Sequence, residues 1–166
     1  MRIVVVGGGM QGRVIAENLL RREEKPEVIV ADLREPASLP AGAKFTQADV
    51  LDPAQAKALL KGADAAVLAV PSEISHAALR NLIAAGVAIC DVSFTPDPPL
   101  DLDSAAKQAG ACVVVDCGVA PGLSHILVGA AHAELGGLDS ARIWVGGMPQ
   151  KPPAVFKHAV YFNPHD

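Results

Sequence analysis

Short apolar runs alternate along this chain with stretches in which apolar residues return at helical spacing. Residues 2–6, 28–31, 65–70, 87–91 and 112–116 read as buried strands. After the first run, Val14, Ile15 and Leu19 share one helical face; from Glu73 onward, Ile74, Ala78, Leu79, Leu82 and Ile83 do the same. Such alternation predicts parallel strands joined by crossover helices, an α/β fold of the Rossmann type with a doubly wound parallel sheet. Boundary chemistry agrees with the periodicity. Asp52, Pro53 and Gln55 supply an N-cap, a first-turn proline and the third residue of a capping box, and Gly62 stops that helix. Gly86 and Gly110 are the next stops, each just before another strand-like run.

Beyond residue 116 the texture changes to a loop at 117–122, a helical stretch from 123 to about 135 and a strand-like run at 142–145 that ends at Gly146 and Gly147. Prolines 149, 152, 153 and 164 break any later long helix. The expected division is a dinucleotide-type Rossmann domain over 1–120 and the start of a different domain over 121–166, with the remainder of that domain lying beyond the chain.

Composition narrows the function classes. The 166 residues are 51% hydrophobic and 19% charged, enough for one sizeable core. A net charge of -4 without a basic cluster argues against nucleic acid as a partner. No apolar run approaches the roughly 20 residues of a membrane span, and the first strand starts at Arg2, so a soluble, cytoplasmic protein is expected. Cys90, Cys112 and Cys117 are odd in number and lack paired ligand spacing, which points to reduced thiols and no metal site.

The chemistry begins at Val6-Gly7-Gly8-Gly9-Met10-Gln11-Gly12, a Gly-x-Gly-x-x-Gly pattern after a strand and at the mouth of a helix. Gly7 permits the tight turn, Gly9 lets a pyrophosphate approach the backbone and Gly12 lets helix and strand pack closely. Met10 and Gln11 fill the variable positions where the helix presents free amides to phosphate. A glycine turn alone is weak evidence, since any sharp bend uses one. Asp32, about twenty residues beyond Gly12 at the end of the second strand, adds the carboxylate that takes the adenosine ribose hydroxyls. It repels a 2′-phosphate, so NAD is expected over NADP. Leu33 follows it at the strand end, and Arg34 either pairs with a phosphate or is merely solvated.

Ligands of open parallel sheets collect at the carboxyl ends of the strands. Asp49 and Val50 lie there to flank the adenine, although Asp49 reads equally well as a loop carboxylate before Pro53. Val70 and Pro71 close the fourth strand on the cofactor side, and Ser72 is a plain helix cap in the alternative reading. The fifth and sixth strands end in Asp91-Val92-Ser93 and Asp116-Cys117-Gly118, expected to face the nicotinamide half of the cleft. Asp91 or Asp116 would accept the proton that amine oxidation releases, or else each holds its own loop. His125, after the loop, would position substrate or shuttle a proton, against a surface role on its helix; His76 invites the same pair of readings.

These motifs carry a family resemblance. Gly7 to Gly12, Asp32, Val70-Pro71, Asp91-Val92-Ser93, Gly118-Val-Ala-Pro-Gly-Leu-Ser124 and Val145-Gly-Gly-Met-Pro149 resemble the saccharopine dehydrogenase superfamily, nearest to its lysine 6-dehydrogenase branch. The resemblance implies an NAD(P)-dependent enzyme that oxidises an amino-acid amine, or reduces the imine of an amino acid and a carbonyl compound. It also implies a following α+β domain for substrate and dimer contact, a homodimer, an amino-acid substrate, and a loop from Asp116 to Gly122 facing the nicotinamide. His125 departs from the lysine 6-dehydrogenase pattern toward the saccharopine-forming one. Three functions follow: an NAD-dependent lysine 6-dehydrogenase-like enzyme, a saccharopine or carboxyspermidine-type reductase using NADPH, and a non-catalytic NAD-binding module.

Overall fold

A computed structural model describes residues 1–146. Two compact units divide the chain, Met1–Gly118 and Val119–Asp166. In the first, β1 (Arg2–Val6), β2 (Glu27–Asp32), β3 (Lys44–Gln47), β4 (Ala65–Leu68), β5 (Ala88–Asp91) and β6 (Val113–Val114) form one sheet in the order β3-β2-β1-β4-β5-β6. Every pairing is parallel. The crossovers carry α1 (Met10–Leu20), α2 (Pro53–Leu59), α3 (Ser72–Ile83) and α4 (Asp103–Ala109), and β2 reaches β3 without a helix. This is the Rossmann-like α/β fold expected from the strand and helix periodicity.

The strands are apolar on both faces because each face is covered. Val4 and Val6 join a cluster with Ala56, Leu60, Leu79 and Leu82, whereas Val5 turns to Ala16, Val28 and Val30. Leu82 is fully buried in the larger cluster, where truncation to alanine costs about 2–5 kcal/mol. β1 lies between β2 and β4, so the chain winds first one way and then the other from the same central strand. That reversal opens a crevice above the carboxyl ends of β1 and β4, where the glycine turn emerges.

Local chemistry sets the helix ends. The Asp52 carboxylate accepts the amides of Ala54 at 2.8 Å and Gln55 at 3.2 Å and fixes the start of α2, with Pro53 in its first turn. Gly62, Gly86 and Gly110 all take positive φ where their helices end.

Two strands are shorter than the apolar runs suggest. β4 stops at Leu68 because the Val70 amide turns to the Ser93 hydroxyl at 3.2 Å. Among the described residues β6 has only β5 as a neighbour, and Asp116 swings the chain away at a φ of 55°.

The second unit contains α5 (Leu123–Leu135), which buries none of its residues. Residues 142–145, expected as a strand, are irregular. Nothing pairs with them among the described residues, and an unpaired strand leaves its backbone groups without partners. The expected α+β domain is therefore represented by a helix alone in the described residues. Met148, Pro149 and the later prolines lie outside them. No helix among the described residues is long and apolar enough to cross a membrane.

Candidate functional site

The three motif glycines are demanded by different things. At Gly7, with φ at 101°, an added Cβ would stand 2.2 Å from the Ala69 carbonyl oxygen. At Gly12 it would stand 1.8 Å from the Gly7 carbonyl oxygen, so the first turn of α1 could not pass the glycine turn. Gly9 is unlike both: its φ is -68°, open to any residue, and a Cβ there meets nothing within 4 Å among the described residues. The fold requires Gly7 and Gly12, while Gly9 leaves a bare backbone facing open space. Gly9 is also the N-cap of α1, and no side chain caps that end. The first-turn amides of Met10, Gln11 and Gly12 thus have no intrahelical partner and, together with the helix dipole, suit an anionic diphosphate.

Beside this turn lies a cavity of about 310 Å³. Gly7, Gly9, Asp32, Leu33, Asp49, Val50, Val70 and Pro71 all line it, so residues far apart in sequence meet at the ends of four strands. The Asp32 carboxylate accepts the Gly8 amide at 2.7 Å through Oδ2, which orients it and leaves Oδ1 for a ligand hydroxyl. Asp49 ties its own loop and also lines the cavity: its Oδ1 accepts the Leu51 amide at 2.9 Å. Ala48, Leu51 and Ile74 complete an apolar wall of the kind a purine needs. Sequence reasoning missed them because small and aliphatic residues carry no chemical signal; only their position just beyond β3 and in the first turn of α3 marks them. Gln11 and Arg34 do not line this cavity, and Met10 faces a second one next to it.

At the far end of the crevice the two aspartates part company. Asp91 is 1% exposed, and its Oδ1 accepts the Ser93 amide at 2.8 Å. Burial pushes its pKa up, the hydrogen bonds from Ser93 draw it back down, and the charge of Asp116 raises it again. Contrary to the expectation for a proton acceptor open to substrate, Asp91 is enclosed, and it holds the turn after β5. Ser93, also buried, receives the Val70 amide and so stitches the ends of β4 and β5 together. Asp116 is exposed, which leaves it as the carboxylate that solvent and a ligand can reach.

Cys117 donates its amide to the Asp91 carbonyl at 2.9 Å, extending the β5–β6 ladder past the short strand. Its thiol lies 3.6 Å from the carbonyls of both Val114 and Val115, turned back on its own loop and outside the cavity by the glycine turn. Cys90 is pushed up to about 11 by burial, reinforced by the neighbouring Cys117 thiol. In the second unit, the Nδ1 of His125 accepts the Gly122 amide at 3.3 Å, so this imidazole caps the start of α5. Among the described residues no group of three His, Cys, Asp or Glu side chains could hold a metal ion.

Comparison with known proteins bears on the whole of the first unit. Residues 3–114 match the family model described as the saccharopine dehydrogenase NADP binding domain. The saccharopine dehydrogenase [NADP(+), L-glutamate-forming] of Pyricularia oryzae is 24% identical over 154 residues, which cover 89% of this chain and 34% of that protein. The chain therefore spans about a third of the length of this curated relative. Apo saccharopine dehydrogenase (L-Glu forming) from Saccharomyces cerevisiae superposes with a TM-score of 0.69 at 20% identity, over 81% of this chain and 31% of that one. A protein named RSP, in complex with beta-NADH, superposes with a TM-score of 0.50 at 14% identity, over 80% of this chain and 58% of its own. With the glycine turn, Asp32 and the order of six parallel strands all lying at or within the matched residues, the chain belongs to the saccharopine dehydrogenase NADP-binding domain family, and its cofactor is NAD(P).

Proposed function

We propose that this chain is the cofactor domain of an NAD-dependent oxidoreductase acting on an amine group of an amino acid, in the manner of L-lysine 6-dehydrogenase. The observation that carries the reading is Gly9, a glycine that neither its backbone angle nor any described neighbour requires, set on the wall of the cavity that Asp32 also lines. A diphosphate resting on bare peptide amides is what such a position admits. Gly7, Gly9, Met10, Gln11 and Gly12 would hold the diphosphate, Asp32 the adenosine ribose, and Leu33, Asp49, Val50, Val70 and Pro71 the adenine side of the cavity.

The bound nicotinamide supplies a hydride acceptor. The chain's own residues do the rest. Ser93 and the enclosed Asp91 fix the ends of β4 and β5, which would support the nicotinamide half of a bound cofactor. Asp116, exposed at the same edge, is the proposed acceptor for the proton released when the amine is oxidised. The proposed assembly is a homodimer through the second unit, supported by the exposed apolar side chains of α5, among them Ile126 and Leu127.

A second reading, a saccharopine-type reductase using NADPH, is favoured by the Pyricularia oryzae relative, whose own name specifies NADP(+). Initial-rate assays on the full-length protein separate the two. NADH formation with lysine supports the first, NADPH consumption with an oxo acid plus an amino acid supports the second, and nucleotide binding without turnover on any amine contradicts both.

A further inference from the structure

The β5–β6 ladder slips by one residue where it ends. Cys90 pairs with Val114, and the Ile89 amide donates to the Cys112 carbonyl at 2.8 Å. Regular parallel pairing would bring the Asp116 amide to the Asp91 carbonyl, yet the donor found there is Cys117, at 2.9 Å. Asp116, with its φ of 55°, is thus one residue more than the ladder takes. An extra residue of this kind re-aims the side chains beyond it. Strict alternation would set Val114 and Cys117 on opposite faces of the sheet; the slip returns Cys117 to the face that Val114 shares with Cys90. Its Sγ accordingly lies 3.6 Å from the carbonyl of Val114, the residue that pairs with Cys90.

The two thiols are therefore neighbours across the end of the sheet. Their nearness shows in Cys90, whose pKa is pushed up by burial and then further by the Cys117 thiol. Neither is sealed off: both are half-buried, and Val114, on the same face, is 55% exposed. Cys112 is placed differently. It sits two residues before Val114, about 7 Å back along the strand, and the gap between strands carries it beyond the Cα separation that a disulfide spans.

We propose that Cys90 and Cys117 form a reversible disulfide, making the end of β5 and the loop after β6 a thiol-oxidation site for disulfide oxidants of the glutathione type. The step is a two-stage exchange. The Cys117 thiolate attacks one sulfur of oxidised glutathione, a mixed disulfide forms and one glutathione thiolate leaves. The Cys90 thiol then gives its proton to solvent and its sulfur attacks Sγ of Cys117, expelling the second glutathione. The protein loses two electrons, and one oxidised glutathione becomes two molecules of the reduced thiol. Cys117 goes first because burial keeps Cys90 almost entirely protonated. The bridge closes around Asp116 and tethers the loop of that exposed carboxylate to β5; its formation does not depend on which reaction the carboxylate serves.

The test is oxidation of the full folded chain by oxidised glutathione at mildly alkaline pH, followed by alkylation and peptide mapping, in the wild type and in Cys90→Ser, Cys117→Ser and Cys112→Ser. The wild type is expected to yield peptides joined through Cys90 and Cys117, to retain no glutathione on either residue and to lose the bridge in dithiothreitol. Cys90→Ser is expected to stop at the mixed disulfide, with glutathione held on Cys117. Cys117→Ser forms no bridge, whereas Cys112→Ser bridges as the wild type does. In urea the Cys90–Cys117 pair loses its preference over pairs that include Cys112, since only the fold sets the two sulfurs together. A folded wild type that keeps glutathione on Cys117, bridges equally through Cys112, or leaves Cys90 and Cys117 reduced while Cys112 reacts would overturn the proposal, as would a bridge formed only in urea.

Discussion

The carboxylate of Asp32 and the backbone amide of Gly8 are joined by a hydrogen bond of 2.7 Å that spans 24 residues of sequence. It links the end of β2 to the turn after β1, so the group that would grip a ribose and the backbone that would carry a diphosphate are set in register before any ligand arrives. Such preorganisation removes part of the ordering cost of binding. It also means that Asp32 has a structural duty beside its binding one.

Replacing Asp32 separates those duties. Asp32→Ala weakens NAD by about 1.5–3 kcal/mol, the range for a hydrogen bond to a charged group, and raises the NADP-to-NAD affinity ratio. Asp32→Asn keeps an acceptor for the Gly8 amide but loses the charge, so it raises the ratio with a smaller loss of stability. Titration of both nucleotides against both variants, with thermal melts alongside, checks this; unchanged affinities would remove Asp32 from the site.

Gly12 answers to the fold. A methyl group there meets the Gly7 carbonyl at 1.8 Å, a backbone atom that cannot step aside. Gly12→Ala destabilises the first unit by about 1–3 kcal/mol or more, read as a lower midpoint in urea. An unchanged midpoint contradicts the packing role.

Asp91 makes stability depend on pH. Its folded-state pKa lies above the ordinary 3.8, so as pH rises past that value the unfolded chain gives up its proton first and gains relative to the fold. Wild-type stability is therefore highest, relative to Asp91→Asn, at or below pH 3.8, and it falls behind as pH climbs through the raised folded-state value. The asparagine retains an acceptor for the Ser93 amide. Melting both proteins from acid to neutral pH tests the sign, and a constant gap contradicts it.

The thiols differ in reactivity. Cys112 is exposed, and Cys90, pushed up to about 11, has only roughly one thiolate in a thousand at pH 8. A maleimide at that pH labels Cys112 first and Cys90 last. Cys112→Ser removes the fast phase, and rapid labelling of Cys90 in the folded protein would contradict the burial that raises it.

Much of this was legible in the sequence because the signals are local. The valines of β1 and β2, the Asp52-Pro53-Gln55 cap and the spacing from Gly12 to Asp32 each depend on a few neighbouring residues, and the Rossmann-like sheet follows from their repetition. Where the outcome depends on distant partners, the sequence was silent or misleading. Asp91 and Asp116 look alike as strand-end carboxylates, yet packing encloses one and exposes the other. Residues 142–145 have strand chemistry but no described strand to pair with.

The proposed dinucleotide site depends most directly on Gly9. Calorimetric titration of NAD into the wild-type and Gly9→Ala proteins, with melting temperatures measured in parallel, is its most direct test. The added methyl enters space that the protein leaves open, so the account predicts saturable one-to-one binding to the wild type, loss of that binding in the variant and unchanged melting temperatures. NAD binding equally well to both proteins, or to neither, would contradict it.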